Sequence, residues 1–222
     1  MDSLPATSPL PAAPTVSAPP KPQGSSVRRE VLELAKMVVI FLLLFWVVKS
    51  FVIEGYEVQG ESMVPTLETS ERVLVFKLTH QLAQLSILSS LNAIEPGDIV
   101  VFESKVEDNK RYIKRVIAKG PERDKSKVAS ASELDQEPKV HVEYMRGKVF
   151  VDEQPLEEAY LVAEEKVSRD VYREDLPPGK YFVLGDHRSV SKDSRSFHAI
   201  DEEQIIGRAL LRFWPLGKFG LL

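Results

Sequence analysis

The stretch RYIKRVIA, residues 111–118, carries the pattern that decides the fold. It is a short run rich in β-branched and aromatic residues, which is the composition of a β-strand. Because alternate residues of a strand share a face, Lys114 is predicted to point the same way as Tyr112, Val116 and Ala118. Two interpretations stay open: a lysine buried on a largely apolar face, or one on an edge strand that reaches water.

Similar runs occur on both sides of this strand along the chain. Turn-forming sequences such as EPGD, RGK and PPGK separate them. A leucine at every third position from Leu82 to Leu91 instead predicts a short amphipathic helix, and the polar residues 121–139 predict an exposed loop. We therefore predict one mainly β domain over residues 55–222, with further strands in RVLVFKL (72–78), DIVVFES (98–104), HVEYM (141–145), VFVDE (149–153) and KYFVLG (180–185).

The most hydrophobic segment of the chain precedes this domain. Residues Met37–Val48 include no charged or polar side chain. At about 1.5 Å per residue, the segment 34–53 is long enough for the roughly 30 Å hydrocarbon layer of a membrane. A cleaved signal peptide would need a small-x-small site, which SFVIEGYEV lacks, and a buried soluble helix would show a polar stripe. We predict a transmembrane anchor helix over residues 27–54.

Charges around this segment predict its orientation. Basic residues precede it and acidic residues follow it, so the positive-inside bias places the N-terminus in the cytoplasm and the domain outside. Residues 1–26 hold seven of the 15 prolines and little apolar surface, which predicts a disordered cytoplasmic tail. We therefore predict a single-pass protein of the inner (plasma) membrane that contacts the lipid bilayer, with another internal membrane left open. The charges are Arg28, Arg29 and Lys36 before the segment, and Glu54, Glu57 and Glu61 after it.

Composition excludes several classes of function. With no cysteine, the chain has no disulfide framework, thiolate metal site or cysteine nucleophile. No two of its four histidines lie within four residues of each other, so a helix-borne zinc site of the HExxH type is excluded. The net charge of −4 gives no support to a nucleic-acid partner. We predict no metal, no cofactor and no nucleic acid.

A candidate nucleophile lies just beyond the hydrophobic segment, in GESMVPTL, residues 60–67. Ser62 would need a partner that takes its proton, and its flanks do not form the G-x-S-x-G elbow of α/β-hydrolases. His187, which follows Asp186, is one candidate base. Lys114 is another, because burial and the neighbouring Arg111 and Arg115 would disfavour its charged form. On the residues alone both bases remain open, and Ser62 also fits an ordinary turn.

Five segments taken together are more specific. GESMVPTL, RVLVFKL, GDIVVF, YIKRVIA and GDHRSVSKDSR resemble the type I signal peptidases (leader peptidases) in order, spacing and position after the hydrophobic segment. The resemblance covers about residues 30–222, including MRGKVFVDEQPLEEAYL and the ending IIGRALLRFWPLGKFGLL. It implies antiparallel sheets around a cleft. It also implies a serine endopeptidase that removes signal peptides from exported preproteins, cutting after a small-x-small motif.

The resemblance also implies roles for individual residues. Ser62 matches the nucleophile, Lys114 the general base, and Met63 a residue near the substrate groove. Where many relatives have a serine or threonine that helps to bind the oxyanion, this chain has Gly60, so that side-chain donor is missing. His187 stands where asparagine is more common.

The GDHRSVSKDSR segment matches the residues that support such a dyad. The resemblance implies that Ser191 hydrogen-bonds the lysine and that Asp193 and Arg195 form a charged pair that braces the site. Gly185 and Asp186 begin the segment and lie near the groove and the oxyanion.

Two other classes of protein share some of these features. A membrane-tethered adaptor or structural protein, with its proline-rich tail as a ligand, would have the same topology without needing Lys114. A periplasmic serine hydrolase would use His187 or His198 as its base.

Overall fold

The computed structural model describes residues 26–77, 94–108, 110–122, 137–161 and 171–222. Three predicted features lie largely or wholly outside these residues. They are the proline-rich tail, the leucine-rich helix at 82–91 and most of the polar loop at 121–139. The chain divides into two units, one ending at Leu44 and the other beginning at Phe45.

The N-terminal helix α1 comprises Ser26–Phe51. Its sequence contains neither glycine nor proline, and half of its 26 residues are strong helix formers (Ala, Leu, Met, Arg, Lys and Glu). Its side chains from Val27 to Val47 are exposed. The helix ends before the predicted boundary at residue 54, because Ile53 already belongs to the first strand. Within the described residues, no helix has both the length and the apolar character required of a membrane span.

The remainder is mainly β, and all of its described strand pairs are antiparallel, which confirms the predicted fold class. All six predicted runs form strands close to their expected bounds. The elements are β1 (Ile53–Glu57), β2 (Arg72–Lys77), β3 (Ile99–Glu103), β4 (Arg111–Lys119), β5 (Val140–Met145), β6 (Lys148–Val151), β7 (Gln154–Pro155), β8 (Val171–Leu176), β9 (Lys180–Leu184), α2 (Ser194–Phe197), β10 (Ile200–Asp201), β11 (Ile205–Trp214) and β12 (Gly220–Leu221).

Among the described residues, eight strands form a large sheet in the order β1-β2-β11-β3-β4-β9-β10, with β12 paired to β11. The strand β4 therefore lies between β3 and β9, away from both edges. This position excludes the edge-strand interpretation of Lys114, which is only 2% exposed.

The alternation predicted for β4 holds only as far as Val116. A register shift between Val116 and Ala118 breaks the two-residue period, and Val116, Ile117 and Ala118 are all buried. Val116 packs in one core cluster with Tyr112, whereas Ala118 packs in another with Ile117. The prediction that Ala118 shares the face of Lys114 was therefore wrong, because a bulge moves an extra residue into the strand.

Four described strands form a second, smaller sheet in the order β7-β6-β5-β8. Its apolar residues, such as Val142 and Tyr144, pack with Ile117 and Phe182 from β4 and β9 in one core cluster. The core thus joins the small sheet to the strand that carries Lys114. The segment that follows β7, residues 156–161, contains the buried residues Glu158 and Leu161.

Candidate active site

Ser62 lies in the loop that connects the paired strands β1 and β2. Met63 and Leu67, on either side of the turn, are fully buried in a core cluster with Val58, and the Leu67 N–H donates to the Met63 carbonyl at 2.9 Å. Burial of these two side chains fixes the loop on the sheet. Met63 is thus a core residue directly next to Ser62, and the lining of the cleft ends at Ser62 in this loop.

The Lys114 side chain extends from β4 to the Ser62 hydroxyl. Its Nζ lies 2.7 Å from Ser62 Oγ and 2.8 Å from the Ile113 carbonyl oxygen, to which it donates a hydrogen bond. The Tyr112 ring centroid lies 5.4 Å from the same nitrogen. The structure therefore brings together the two side chains that the sequence singled out, 52 residues apart.

The environment of Lys114 favours its neutral form. Burial lowers the pKa of its ammonium group from 10.5 to about 8, and the negative charges of Asp193 and Asp186 oppose this lowering. The expectation that neighbouring arginines contribute was wrong, because Arg115 forms an ion pair with Asp186 and Arg111 donates to Tyr56 Oη. Removal from water is the cause of the lowered pKa.

The loop after β9 closes over this pair. The His187 N–H donates to the Ser62 carbonyl at 3.0 Å. A Cβ placed on Gly185 would come within 2.4 Å of the Ser62 carbonyl oxygen and 2.2 Å of Ser191 Oγ. Only glycine therefore permits this approach, which explains its place at the start of the GDHRSVSKDSR segment.

Ser191 differs from its expected role. Its Oγ is buried and has no hydrogen-bond partner among the described residues. The bond to Lys114 implied by the resemblance is thus not formed; the described partners of the lysine Nζ are Ser62 Oγ and the Ile113 carbonyl oxygen. The hydroxyl nevertheless lies in the same loop, next to Gly185.

Asp186 is the centre of a buried ionic cluster. Its carboxylate accepts two hydrogen bonds from Arg115, at 2.9 and 2.7 Å, and one from Thr66 Oγ1 at 2.5 Å. Thr66 belongs to the loop that carries Ser62, and Arg115 is the neighbour of Lys114 on β4. A single carboxylate thus connects the three segments that form the site.

Asp193 and Arg195 form the predicted charged pair. The Arg195 Nε donates to Asp193 at 2.8 Å, and the Asp193 side chain is fully buried. Asp193 also accepts the Gly185 N–H at 3.1 Å and caps the short helix α2. The Arg195 guanidinium donates at 2.7 Å to the Arg188 carbonyl, so the pair holds both ends of the loop.

We expect Asp193→Ala to lower both the melting temperature and the activity, because it removes the carboxylate partner of a largely buried guanidinium and the acceptor of the Gly185 N–H. Losing one partner of a buried pair costs about 3–5 kcal/mol. Thermal unfolding followed by circular dichroism would measure this, with the exposed Asp108→Ala as a control on a surface turn. Equal melting temperatures for both variants would show that the pair does not brace the fold.

The two histidines considered as bases lie in different surroundings. His187 Nδ1 is 3.2 Å from the Glu61 carbonyl oxygen, close to the loop of Ser62. His198 Nδ1 is 2.9 Å from Tyr172 Oη. The side chain at hydrogen-bonding distance from Ser62 Oγ is that of Lys114.

A cleft of about 790 Å³ opens beside Ser62 and Lys114. Gly60 lines it with a positive φ of 83°, and a Cβ added there would meet nothing within 4 Å. The position expected for an oxyanion donor therefore faces the cleft but carries no side chain. Gly185 and Asp186 lie behind the dyad rather than among the lining residues, which are those of 56–62, Val73, Val101, Glu103, 110–114, Val190 and Lys192.

Three residues around the site were missed from the sequence. Glu158 and Tyr160 lie in EEAYL, a segment quoted only as part of the resemblance, and Arg188 lies in GDHRSVSKDSR without a role. Glu158 and Arg188 are both buried. The two segments that carry the resemblance contain one residue of each charge, Glu158 and Arg188, and this could have suggested an ion pair. A single sequence does not show, however, that the two residues are in contact.

Comparisons with known proteins match most of the chain. Residues 31–128 and 138–214 match the family model described as "Signal peptidase, peptidase S26". Signal peptidase IB of Staphylococcus aureus (strain COL) is 32% identical over 209 residues, covering 87% of this chain and 94% of the relative. Signal peptidase I of Leptolyngbya laminosa is 30% identical over 220 residues, covering 95% of this chain and 94% of the relative. The crystal structure of a signal peptidase I from Enterococcus faecalis has a TM-score of 0.40 and 26% identity, and covers 53% of this chain and 97% of its own.

Proposed function

Since this chain belongs to the signal peptidase family, peptidase S26, and is a serine endopeptidase that cleaves signal peptides from preproteins, we propose that Ser62 is its nucleophile and Lys114 its general base. The observation that carries this proposal is the 2.7 Å contact between Ser62 Oγ and the buried Lys114 Nζ. A serine–lysine pair is a known variant of the serine–histidine–aspartate arrangement.

The proposed reaction begins with proton transfer. The neutral Lys114 amine takes the hydroxyl proton as Ser62 Oγ forms a bond to the scissile carbonyl carbon, giving a tetrahedral oxyanion. Collapse of this intermediate breaks the C–N bond, and the Lys114 ammonium returns its proton to the leaving amine. Water then attacks the acyl–serine ester with Lys114 again as base, which releases the signal peptide and restores the Ser62 hydroxyl.

The surroundings of Lys114 support this use. A lysine is a base only in its neutral form, and burial brings its pKa down to about 8. The Ile113 carbonyl, which accepts a hydrogen bond from the amine, orients it toward Ser62. Because Gly60 has no side chain, the proposed oxyanion must be stabilised without a side-chain donor from that position.

We propose that the substrates are cut after a small-x-small motif. The test is incubation of the purified protein in detergent with a preprotein, followed by mass spectrometry of both products. We expect one cut, on the carboxyl side of the second small residue. Replacing that residue by a bulky one in the substrate should prevent the cut, and an unchanged rate with the bulky substrate would contradict the proposed specificity.

A membrane location is also part of the proposal. The side chains of α1 from Met37 to Val47 are apolar and exposed, and in lipid this surface would be covered. We propose a single-pass anchor with the N-terminus in the cytoplasm and the β domain outside.

Alkaline carbonate extraction and protease protection in inverted membrane vesicles test this location. We expect the protein to remain in the pellet, with residues 55–222 protected inside the vesicles. Release into the supernatant, or complete digestion of the domain, would refute the anchor or its orientation respectively.

The alternatives formed from the sequence are not favoured. Family membership assigns an enzyme, so an adaptor role does not account for the chain. A histidine base would need a contact with the Ser62 hydroxyl, whereas the described contact is with Lys114.

A further inference from the structure

A third buried ion pair, after Arg115–Asp186 and Arg195–Asp193, lies outside the lining of the cleft. Glu158, on the segment after β7, pairs with Arg188, in the loop after β9, and their side chains are only 4% and 1% exposed. Arg188 Nη1 donates to one carboxylate oxygen at 3.1 Å, and Nη2 donates to the other. The pair is thus bidentate and shielded from water, which is the geometry in which Arg–carboxylate bonds are strongest.

Arg188 connects this pair to the nucleophile. Its Nε donates to the Gly185 carbonyl at 3.1 Å. Gly185 is the residue whose backbone packs so tightly against the Ser62 carbonyl and Ser191 Oγ that no Cβ fits. The Arg188 carbonyl in turn accepts from Arg195, whose partner Asp193 holds the Gly185 N–H. Gly185 is therefore held on both sides.

Tyr160 extends the same segment to the other side of the dyad. Its hydroxyl donates to Glu158 at 2.6 Å. Its ring lies 4.0 Å from the guanidinium carbon of Arg115, the partner of Asp186. Two residues of one short segment thus contact Arg115 and Arg188, two of the three arginines that hold the loop.

We propose that Glu158 is a positioning residue of the peptidase: by fixing Arg188 it holds the Gly185 backbone against Ser62 and keeps the loop 185–191 closed over Lys114. The inference rests on the proposed Ser62–Lys114 dyad. Neither Glu158 nor Arg188 lines the cleft, so both act through Gly185 and not on the substrate.

The physical reason is the cost of an unpaired buried charge. Without the Glu158 carboxylate, the Arg188 guanidinium has no counter-ion among the contacts described for it, and moving toward water is the way to recover solvation. That movement releases the Gly185 carbonyl, and the loop loosens over Lys114. Water then reaches the Lys114 amine. Burial no longer disfavours its charged form as strongly, and the pKa of Lys114 rises.

The groups that face Lys114 determine how a looser loop changes the pH dependence of cleavage. They are Ser62 in the loop between β1 and β2, Tyr112 on β4, and Asp186 and Asp193 in the loop after β9. The two carboxylates favour the charged amine, so admitting water while leaving them in place moves the midpoint of the pH–rate profile upward. A change in stability alone does not move this midpoint.

The experiment compares Glu158→Gln with Glu157→Gln, a matched change at the exposed neighbouring residue. Preprotein cleavage is followed from pH 6 to 10 in detergent, and rates are divided by the fraction of active enzyme from a burst titration. For Glu158→Gln we expect kcat per active site to fall about 10- to 100-fold with little change in KM, and the midpoint to rise. Glu157→Gln should match the wild type.

The double variant Glu158→Met/Arg188→Met keeps the proposal testable if Glu158→Gln does not fold. It removes both charges, so no unpaired ion remains, and such replacements of buried pairs are often tolerated. It should fold, yet show the same fall in kcat, because the Gly185 carbonyl has lost its donor.

The inference would be overturned if either Glu158 variant had the same kcat and the same pH midpoint as Glu157→Gln. It would also be overturned if a smaller fraction of active enzyme accounted for the whole loss of cleavage rate. Ser62→Ala, measured in parallel, separates this failure from that of the dyad itself. If Ser62→Ala still cleaves at the wild-type rate, the proposed function fails. If it is inactive while Glu158→Gln is normal, only the positioning role fails.

Discussion

Ser62→Ala is expected to abolish preprotein cleavage while leaving the fold intact. Removing the nucleophile of a serine protease lowers kcat by about 10⁶-fold, because the remaining groups act as a unit with it. Ser62 is not part of the buried core, whereas its neighbour Met63 is, so losing the hydroxyl removes the chemistry and not the packing. Rates from a fluorogenic or radiolabelled preprotein, together with the melting temperature, measure both effects.

Ser196→Ala is the matched control, since Ser196 is an exposed serine on α2. It should cleave at the wild-type rate. If Ser62→Ala retained a rate close to that of Ser196→Ala, the nucleophile would have to be another group.

Lys114→Arg should be as inactive as Ser62→Ala, although it keeps a positive charge and a long side chain. A guanidinium stays protonated at every usable pH and therefore cannot take the proton of the Ser62 hydroxyl. We expect a loss of at least about 10³-fold, which no increase in pH restores. Cleavage rates at pH 7, 8, 9 and 10 test both statements.

Lys119→Arg, on the same strand, is the control. Lys119 pairs with Glu95 at 2.6 Å at the end of β4, a contact that arginine can replace. His187→Ala and His198→Ala should each keep most of the activity. An active Lys114→Arg, or a loss of several orders of magnitude in a histidine variant, would remove Lys114 as the base.

The sequence was sufficient for the strands whose residues alternate or are strongly β-forming. RVLVFKL, DIVVFES and KYFVLG became β2, β3 and β9, with no end shifted by more than one residue. Several strands were not predicted. One is β8, VYREDL, an edge strand of the small sheet whose burial alternates but whose sequence is half charged. Another is β11, which was quoted only for its resemblance.

The proposed dyad could be predicted only from the resemblance of five segments taken together, because the residues alone left both bases open. What a single sequence could not supply was the direction of the surrounding side chains. Arg115 follows Lys114 directly, yet it is held by Asp186 and does not act on the lysine charge. The Ser191 hydroxyl lies near the site without bonding to Lys114, since a difference of one side-chain rotation decides such a contact.

The Glu158–Arg188 pair shows the same limit more strongly. Its two residues are 30 positions apart and belong to segments after different sheets, so only the packing of one sheet on the other brings them together. Charged residues are usually exposed, and a sequence gives no reason to bury these two. Their burial is a tertiary property.

The pH dependence of cleavage tests the central claim most directly. If Lys114 is the base, kcat/KM should rise about tenfold per pH unit below a midpoint near pH 8 and level off above it, as the buried amine loses its proton. The same midpoint should persist in the double variant His187→Ala/His198→Ala. A midpoint near 6.5, the ordinary pKa of histidine, that disappears in this double variant would contradict the serine–lysine mechanism.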